Sequence, residues 1–267
     1  MTLGVLIFLL VAGVGAGLVG SVAGLASLVS YPALLLAGLP PIMANVTNTV
    51  AMLGTTFGAA AGSRPELSGQ RGRLLRLCVI TAVGGAFGGF LLLVTPPGAF
   101  TTVVPWLISG ASILLLAGPR LRAAGERADA AGLGRGRAGS RIPSNRATRH
   151  ALTGIAAFGV AVYGGYFGAA AGVLMLALLS TVWTQSLART NAAKNIATGA
   201  ANLIAAVVFS FTGKVYWPAA VMLCVGSALG AWIGPMIVRR LPAGPLRIGI
   251  SVAGLGLAGV LAWQAFA

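Results

Sequence analysis

Long apolar runs broken by short polar or basic stretches fill almost the whole 267-residue chain. In the first half they cover Leu3 to Val22, Leu25 to Leu39, Ile42 to Gly62, Leu74 to Val94 and Thr102 to Gly118. A membrane crossing needs about 20 apolar residues, so the second run is short for one. We read the first two runs as a re-entrant hairpin that enters the bilayer, breaks at glycines and returns to the same side. Three crossings then follow near 42–62, 74–94 and 102–118. The second half copies this plan, with a hairpin over about 151–184 and crossings near 187–212, 215–238 and 246–266. Irregular backbone at a hairpin tip must be buried in protein or face water, which makes a glycine-rich tip a candidate binding element.

The two halves repeat each other. Gly17, Gly20 and Gly24 recur at the same spacing as Gly165, Gly168 and Gly172; Thr47-Asn48 answers to Thr190-Asn191, and Gly84 and Gly88 to Gly226 and Gly230. Internal duplication in a hydrophobic chain marks transporter folds, where the substrate path lies between the repeats near the bilayer midplane. The reading divides the chain into a first transmembrane repeat over 1–118, a basic flexible linker over 119–149 and a second repeat over 150–267. The linker is rich in Arg, Gly and Ala without apolar periodicity. The opening segment lacks the basic start of a secretion signal, and its glycine pattern recurs internally, so it belongs to the fold.

Composition agrees with an all-α polytopic membrane protein. Hydrophobic residues make up 57% and charged residues 8%, with a mean hydropathy of +0.94, too apolar for one aqueous core to hide. The 40 glycines suit membrane helices, whose backbones approach closely where side chains are small. The formal charge of +15 would suggest nucleic acid in a soluble protein, but here the arginines sit in connections. Arg64, Arg71, Arg73 and Arg76 bracket one loop, eight arginines from Arg120 to Arg149 fill the linker, and Arg239, Arg240 and Arg247 mark a third segment. By the positive-inside rule these face the cytoplasm. The uncharged Pro96 loop and the turn with the single Lys214 face outward. Corresponding loops then lie on opposite sides, so the repeats are inverted. That places the chain as a multi-pass protein of the cell (inner) membrane, with the lipid bilayer and a small anion as partners, no nucleic acid, and homo-oligomerisation left open.

Polar residues inside the apolar runs carry the candidate chemistry. Asn191, Asn195, Thr198 and Asn202 stand at i, i+4, i+7 and i+11, on one face of a helix. In the first half Asn45, Asn48, Thr49, Thr55 and Thr56 form the counterpart, with Thr47 beside Asn48 as Thr190 is beside Asn191. Two such stripes can line one central path or can hydrogen-bond between helices. Lys194 is the sharpest single candidate, because a charge inside an apolar segment is costly and faces a partner or a cavity. It fits contact with an anion or a snorkelling position at the interface. Backbone N–H groups at broken helices favour anions, and Gly20, Gly24, Gly168 and Gly172 fit either such an approach or tight turns and close packing.

The chain's acids are Glu66, Glu126 and Asp129, all in connecting segments, so the usual membrane carboxylate relay for proton or sodium coupling is missing. Movement of an anion down the electrochemical gradient is the simplest energetics. There is no HExxH, no metal-ligand cluster, no P-loop and one histidine, His150, so we expect no enzyme, no metal and no cofactor. Cys78 and Cys224 lie in apolar runs and read as buried thiols.

The chain resembles the sulfite exporter TauE/SafE family, whose members carry two related halves. The resemblance rests on the glycine-rich opening from Gly13 to Gly20, on Tyr31-Pro32 followed by Gly38 and Pro41, and on Ala44 to Asn48. The second half contributes Tyr163 to Gly172 and Ala188 to Asn195. It spans nearly the whole chain outside the linker. It implies membrane transport of a small anion, as export of sulfite, an organosulfonate or a related sulfur-containing anion. An anion channel, or a carrier of another small organic anion such as a carboxylate, is the alternative.

Overall fold

The computed structural model describes residues 1–100, 102–110, 113, 146–183, 185–212 and 214–238, with single positions 252, 255, 259 and 263. The described residues form helices and turns only: α1 (Leu3–Ala23), α2 (Ser27–Leu36), α3 (Pro41–Ala51), α4 (Leu53–Gly62), α5 (Arg64–Leu67), α6 (Arg71–Val94), α7 (Arg146–Tyr166), α8 (Ala171–Val182), α9 (Leu187–Ser210) and α10 (Trp217–Val238). Residues 97–100 and 102–110 are also helical. This is the all-helical, polytopic architecture expected from the apolar runs. Among the described residues three helices, over Leu3–Val22, Arg71–Val94 and Ala188–Ser210, are long and apolar enough to cross a bilayer. The predicted linker and the last crossing near 246–266 fall largely outside the described residues, although α7 already begins at Arg146.

Local chemistry sets the breaks. α1 ends where Gly24 adopts a left-handed conformation, φ +76°, and its N–H reaches the carbonyl of Gly20, the usual glycine termination of a helix. At the break after α7 it is Gly168, the counterpart of Gly20, that has positive φ, followed by Ala170 at φ +61°, a conformation that costs a residue with a Cβ about 1–2 kcal/mol. α3 opens with Pro41 in its first turn, where the missing N–H is harmless. Ser186 caps α9 by accepting from the Arg189 N–H at 3.4 Å. The run expected as one crossing over 42–62 is divided at Met52 into α3 and α4.

Glycines then decide how the helices meet. The largest contacts join α1 to α10 and α6 to α7. A Cβ on Gly226 would strike the backbone of Leu10, Gly13 and Val14, and one on Gly230 would strike Val14 and Leu18. In the other seam Gly84 faces Phe158, Ala161 and Val162, while Gly88 faces Val162 and Tyr166. A step of four along one helix is a step of four along its neighbour in the same sense, so both pairs run parallel. The two seams use the same relative positions, each pairing a first helix of one half with a later helix of the other. Gly85 and Gly89 seat Ala201 and Ala205 of α9 in the same way, and Gly54 and Gly58 seat Cys224 and Ala228 of α10. α9 runs opposite to α3 and α4: Thr56 lies against Gly199, and Arg189 near the start of α9 donates to the Ser68 carbonyl at 2.8 Å. Without side chains between them, these backbones gain dispersion contacts that lipid tails do not supply. The exposed surfaces of α1, α6 and α10 carry Leu3, Phe8, Val79, Phe87, Val221 and Trp232, as a lipid-facing surface requires.

Candidate functional site

The two helix breaks converge. Gly24 and Gly172 touch backbone to backbone, and a Cβ on Gly24 would lie 2.6 Å from the Gly172 carbonyl carbon. Around this contact, closed in by α3, α4, α7 and α9, is a cavity of about 60 Å³, enough for a few waters or a small anion. Of the residues predicted from sequence, Gly20, Gly24, Asn48, Thr55, Gly168, Gly172, Lys194, Asn195 and Thr198 line it. The fold thus brings both glycine breaks and both polar stripes to one place.

Three predicted residues lie outside the lining. Thr47 accepts from the Tyr216 N–H at 3.0 Å and holds the turn before α10. Thr190 donates to the Ser186 carbonyl one turn back, at 3.2 Å. Asn191 donates to the Ser21 carbonyl at 2.9 Å. Conversely Ser27, Thr49, Met52, Thr56 and Asn202 also line the cavity. Thr49, Thr56 and Asn202 belong to the polar stripes; Met52 and Ser27 carried no sequence signal.

The electrostatics differ from the expectation at the broken helices. Gly20 and Gly24 belong to the C-terminal end of α1, where carbonyls and the negative end of the helix dipole are presented. α9 supplies donors to that end. The fully buried Lys194 ammonium donates to the Gly20 carbonyl at 3.2 Å, and Asn195 joins Asn191 on the Ser21 carbonyl at 3.2 Å. A cation at a helix C-terminus is favoured by the dipole, by up to about 2 kcal/mol in partly buried settings. The positive ends facing the cavity are the first turns of α2 and α8, through Ser27 and through Ala171 and Gly172.

A similar arrangement holds the second break, where Asn45 of α3 donates to the Tyr166 carbonyl at the end of α7, at 2.8 Å. The charge is one-sided. Lys194 stands three residues after Asn191, and the residue three after Asn48 is Ala51. Asn48 is engaged at both ends of its amide, accepting from Ser30 and donating to Ser27 at 3.1 Å. Thr49, Thr56 and Thr198 each donate to a carbonyl one turn back on their own helix. Giving a hydrogen bond to a bound molecule would exchange one partner for another at small net cost. Among the described residues no group of His, Cys, Asp and Glu is placed to hold a metal.

A cavity at the meeting point of two glycine-broken helices, carrying a few polar side chains and surrounded by apolar helices, is the arrangement found at transporter binding sites. The family profile of the sulfite exporter TauE/SafE matches residues 9–261. The chain belongs to the sulfite exporter TauE/SafE family. The match covers both glycine breaks and both polar stripes of this TauE/SafE protein. Curated relatives are a probable membrane transporter protein, ORF9, of Sinorhizobium sp, 25% identical over 86% of this chain and 81% of the relative. Another is the probable membrane transporter protein YfcA of Escherichia coli K12, 26% identical over 89% of this chain and 81% of its own length. A third, from Haemophilus influenzae, is a probable membrane transporter protein with 23% identity over 84% and 81%. No solved structure matches the chain. It is a multi-pass membrane protein of a transporter family.

Proposed function

We propose that the protein carries a small anion, sulfite or an organosulfonate, out of the cell through the cavity between two inverted repeats in the inner membrane. The observation that carries this reading is Lys194, a buried cation that lines the cavity together with the hydroxyl and amide groups of both polar stripes. Hydroxyl and amide groups around it can replace part of an anion's hydration shell. The opposed direction of α9 to α3 and α4, and the matching glycine seams, support inversion of the repeats. With no carboxylate relay, the membrane potential supplies the drive, about 2.3 kcal/mol per charge per 100 mV for an anion leaving a negative interior.

Uptake and release of radiolabelled sulfite in proteoliposomes under an imposed potential tests the reading. The expected result is saturable, potential-sensitive flux in the parent, abolished in Lys194→Ala and reduced in Asn191→Ala, which loosens the end of α1. Flux that does not saturate would indicate a channel. Flux untouched in folded Lys194→Ala would remove Lys194 from the path, and no flux in the parent would remove sulfite in favour of another small organic anion such as a carboxylate.

A further inference from the structure

The polar side chains lining the cavity are engaged with protein, with one exception. Asn48, Thr49, Thr55, Thr56, Asn195 and Thr198 all hydrogen-bond to a backbone or side-chain group. Asn202, half-buried on α9 and also lining the cavity, has no hydrogen-bond partner among the described residues. An amide carries two donors and an acceptor, and in a membrane helix such a group must find protein, water or substrate. Packing does not call for it either. Asn202 stands eleven residues after Asn191, and eleven after Asn48 is Ala59, a buried alanine.

We propose that Asn202 is a second contact for the anion along the path, on the far side of Thr198 from Lys194. This rests on the transport reading above. Eight residues of helix separate the two positions by about 12 Å, too far for one small oxyanion to touch both at once. The anion therefore passes from the ammonium of Lys194 to a neutral station, whose amide N–H groups take up its oxygens. A neutral amide holds an oxyanion less firmly than an ammonium does, which suits a position from which the anion leaves. The ligand class is an anion with exposed oxygens, shared by sulfite, sulfonates and carboxylates.

Two measurements on the whole protein test this, in a Cys78→Ser, Cys224→Ser background. In the first, Asn202→Cys, Ala59→Cys and Leu203→Cys are treated in membranes with a charged, water-soluble methanethiosulfonate. We expect modification of Asn202→Cys alone, since Ala59 is buried and Leu203 is exposed on the outer surface of the helix. In the second, sulfite flux is compared in the parent, Asn202→Ala and Asn202→Gln. The expected loss in kcat/KM for Asn202→Ala is about tenfold, the size of one hydrogen bond to a charged group, with partial recovery in Asn202→Gln. Failure of Asn202→Cys to react, or reaction equal to that of Leu203→Cys, overturns the proposal even if sulfite moves. Unchanged flux in Asn202→Ala overturns it as well. Selective reaction at Asn202→Cys with no sulfite flux in the parent supports the station and removes sulfite from the transport reading instead.

Discussion

Substituting alanine at the glycine contact between the two breaks separates backbone strain from steric clash. Gly24 combines a left-handed φ of +76° with a Cβ position 2.6 Å from the Gly172 carbonyl carbon. Ordinary carbon contacts lie near 3.5–4 Å, so in Gly24→Ala the two tips must part by about 1 Å. The strain costs about 1–2 kcal/mol and overpacking about 1–3 kcal/mol, or about 2–5 kcal/mol together. Two other glycines isolate the terms. Gly38 has φ +88° and nothing within 4 Å of an added Cβ, so Gly38→Ala reports strain alone. Gly172→Ala meets the Cα of Gly24 at 2.5 Å without a left-handed φ and reports the clash, less up to about 1 kcal/mol of gained helix propensity. Gly15→Ala, whose nearest neighbour would be a Val29 methyl at 3.8 Å, is the neutral reference. Equilibrium unfolding in mixed detergent micelles, followed by helical circular dichroism, should rank Gly24→Ala as the most destabilised, clearly beyond Gly38→Ala. If Gly24→Ala matches Gly38→Ala, or if Gly172→Ala is as stable as Gly15→Ala, the two breaks do not touch and the cavity described here is not the one in the membrane.

Further expectations concern the seams and the polar contacts. Gly88→Ala and Gly230→Ala should lose similar stability, because each would strike the same relative carbonyl, of Val162 and of Val14; Gly159→Ala, with open space at its Cβ, should lose none in the same unfolding assay. Asn48→Ala should destabilise by about 1 kcal/mol, since buried Ser30 loses the amide oxygen it donates to but keeps the Ala26 carbonyl within reach, and a double-mutant cycle with Ser30→Ala that shows no coupling would refute the pairing. Lys194→Gln, which keeps a donor for the Gly20 carbonyl but no charge, should fold better than Lys194→Ala while still failing to carry an anion; equal flux in Lys194→Gln and the parent would show that the charge is not required. Arg189→Ala removes a hydrogen bond to Ser68 from a partly exposed side chain and should change stability by only about 0.5 kcal/mol.

The apolar runs and the placement of arginine were sufficient by themselves to define an all-helical, polytopic membrane protein. Lipid leaves the backbone few other choices, and charge in the loops is read one side at a time. The polar stripe on α9 was legible for the same reason: residues at i, i+4, i+7 and i+11 share a face whatever the helix packs against. Which of those residues reach the cavity was decided by the tertiary structure. Asn191 and Asn202 lie on one stripe, yet Asn191 is drawn to the Ser21 carbonyl while Asn202 lines open space. That difference arises because α1, about 170 residues away in the chain, ends beside the start of α9 and not beside its middle. The same contact gives Lys194 its place at a helix C-terminus, which local sequence cannot report because the carbonyl it meets belongs to the other half of the protein. Sequence periodicity fixes a side chain's direction on its own helix; only the crossing of helices from both halves fixes what stands in front of it.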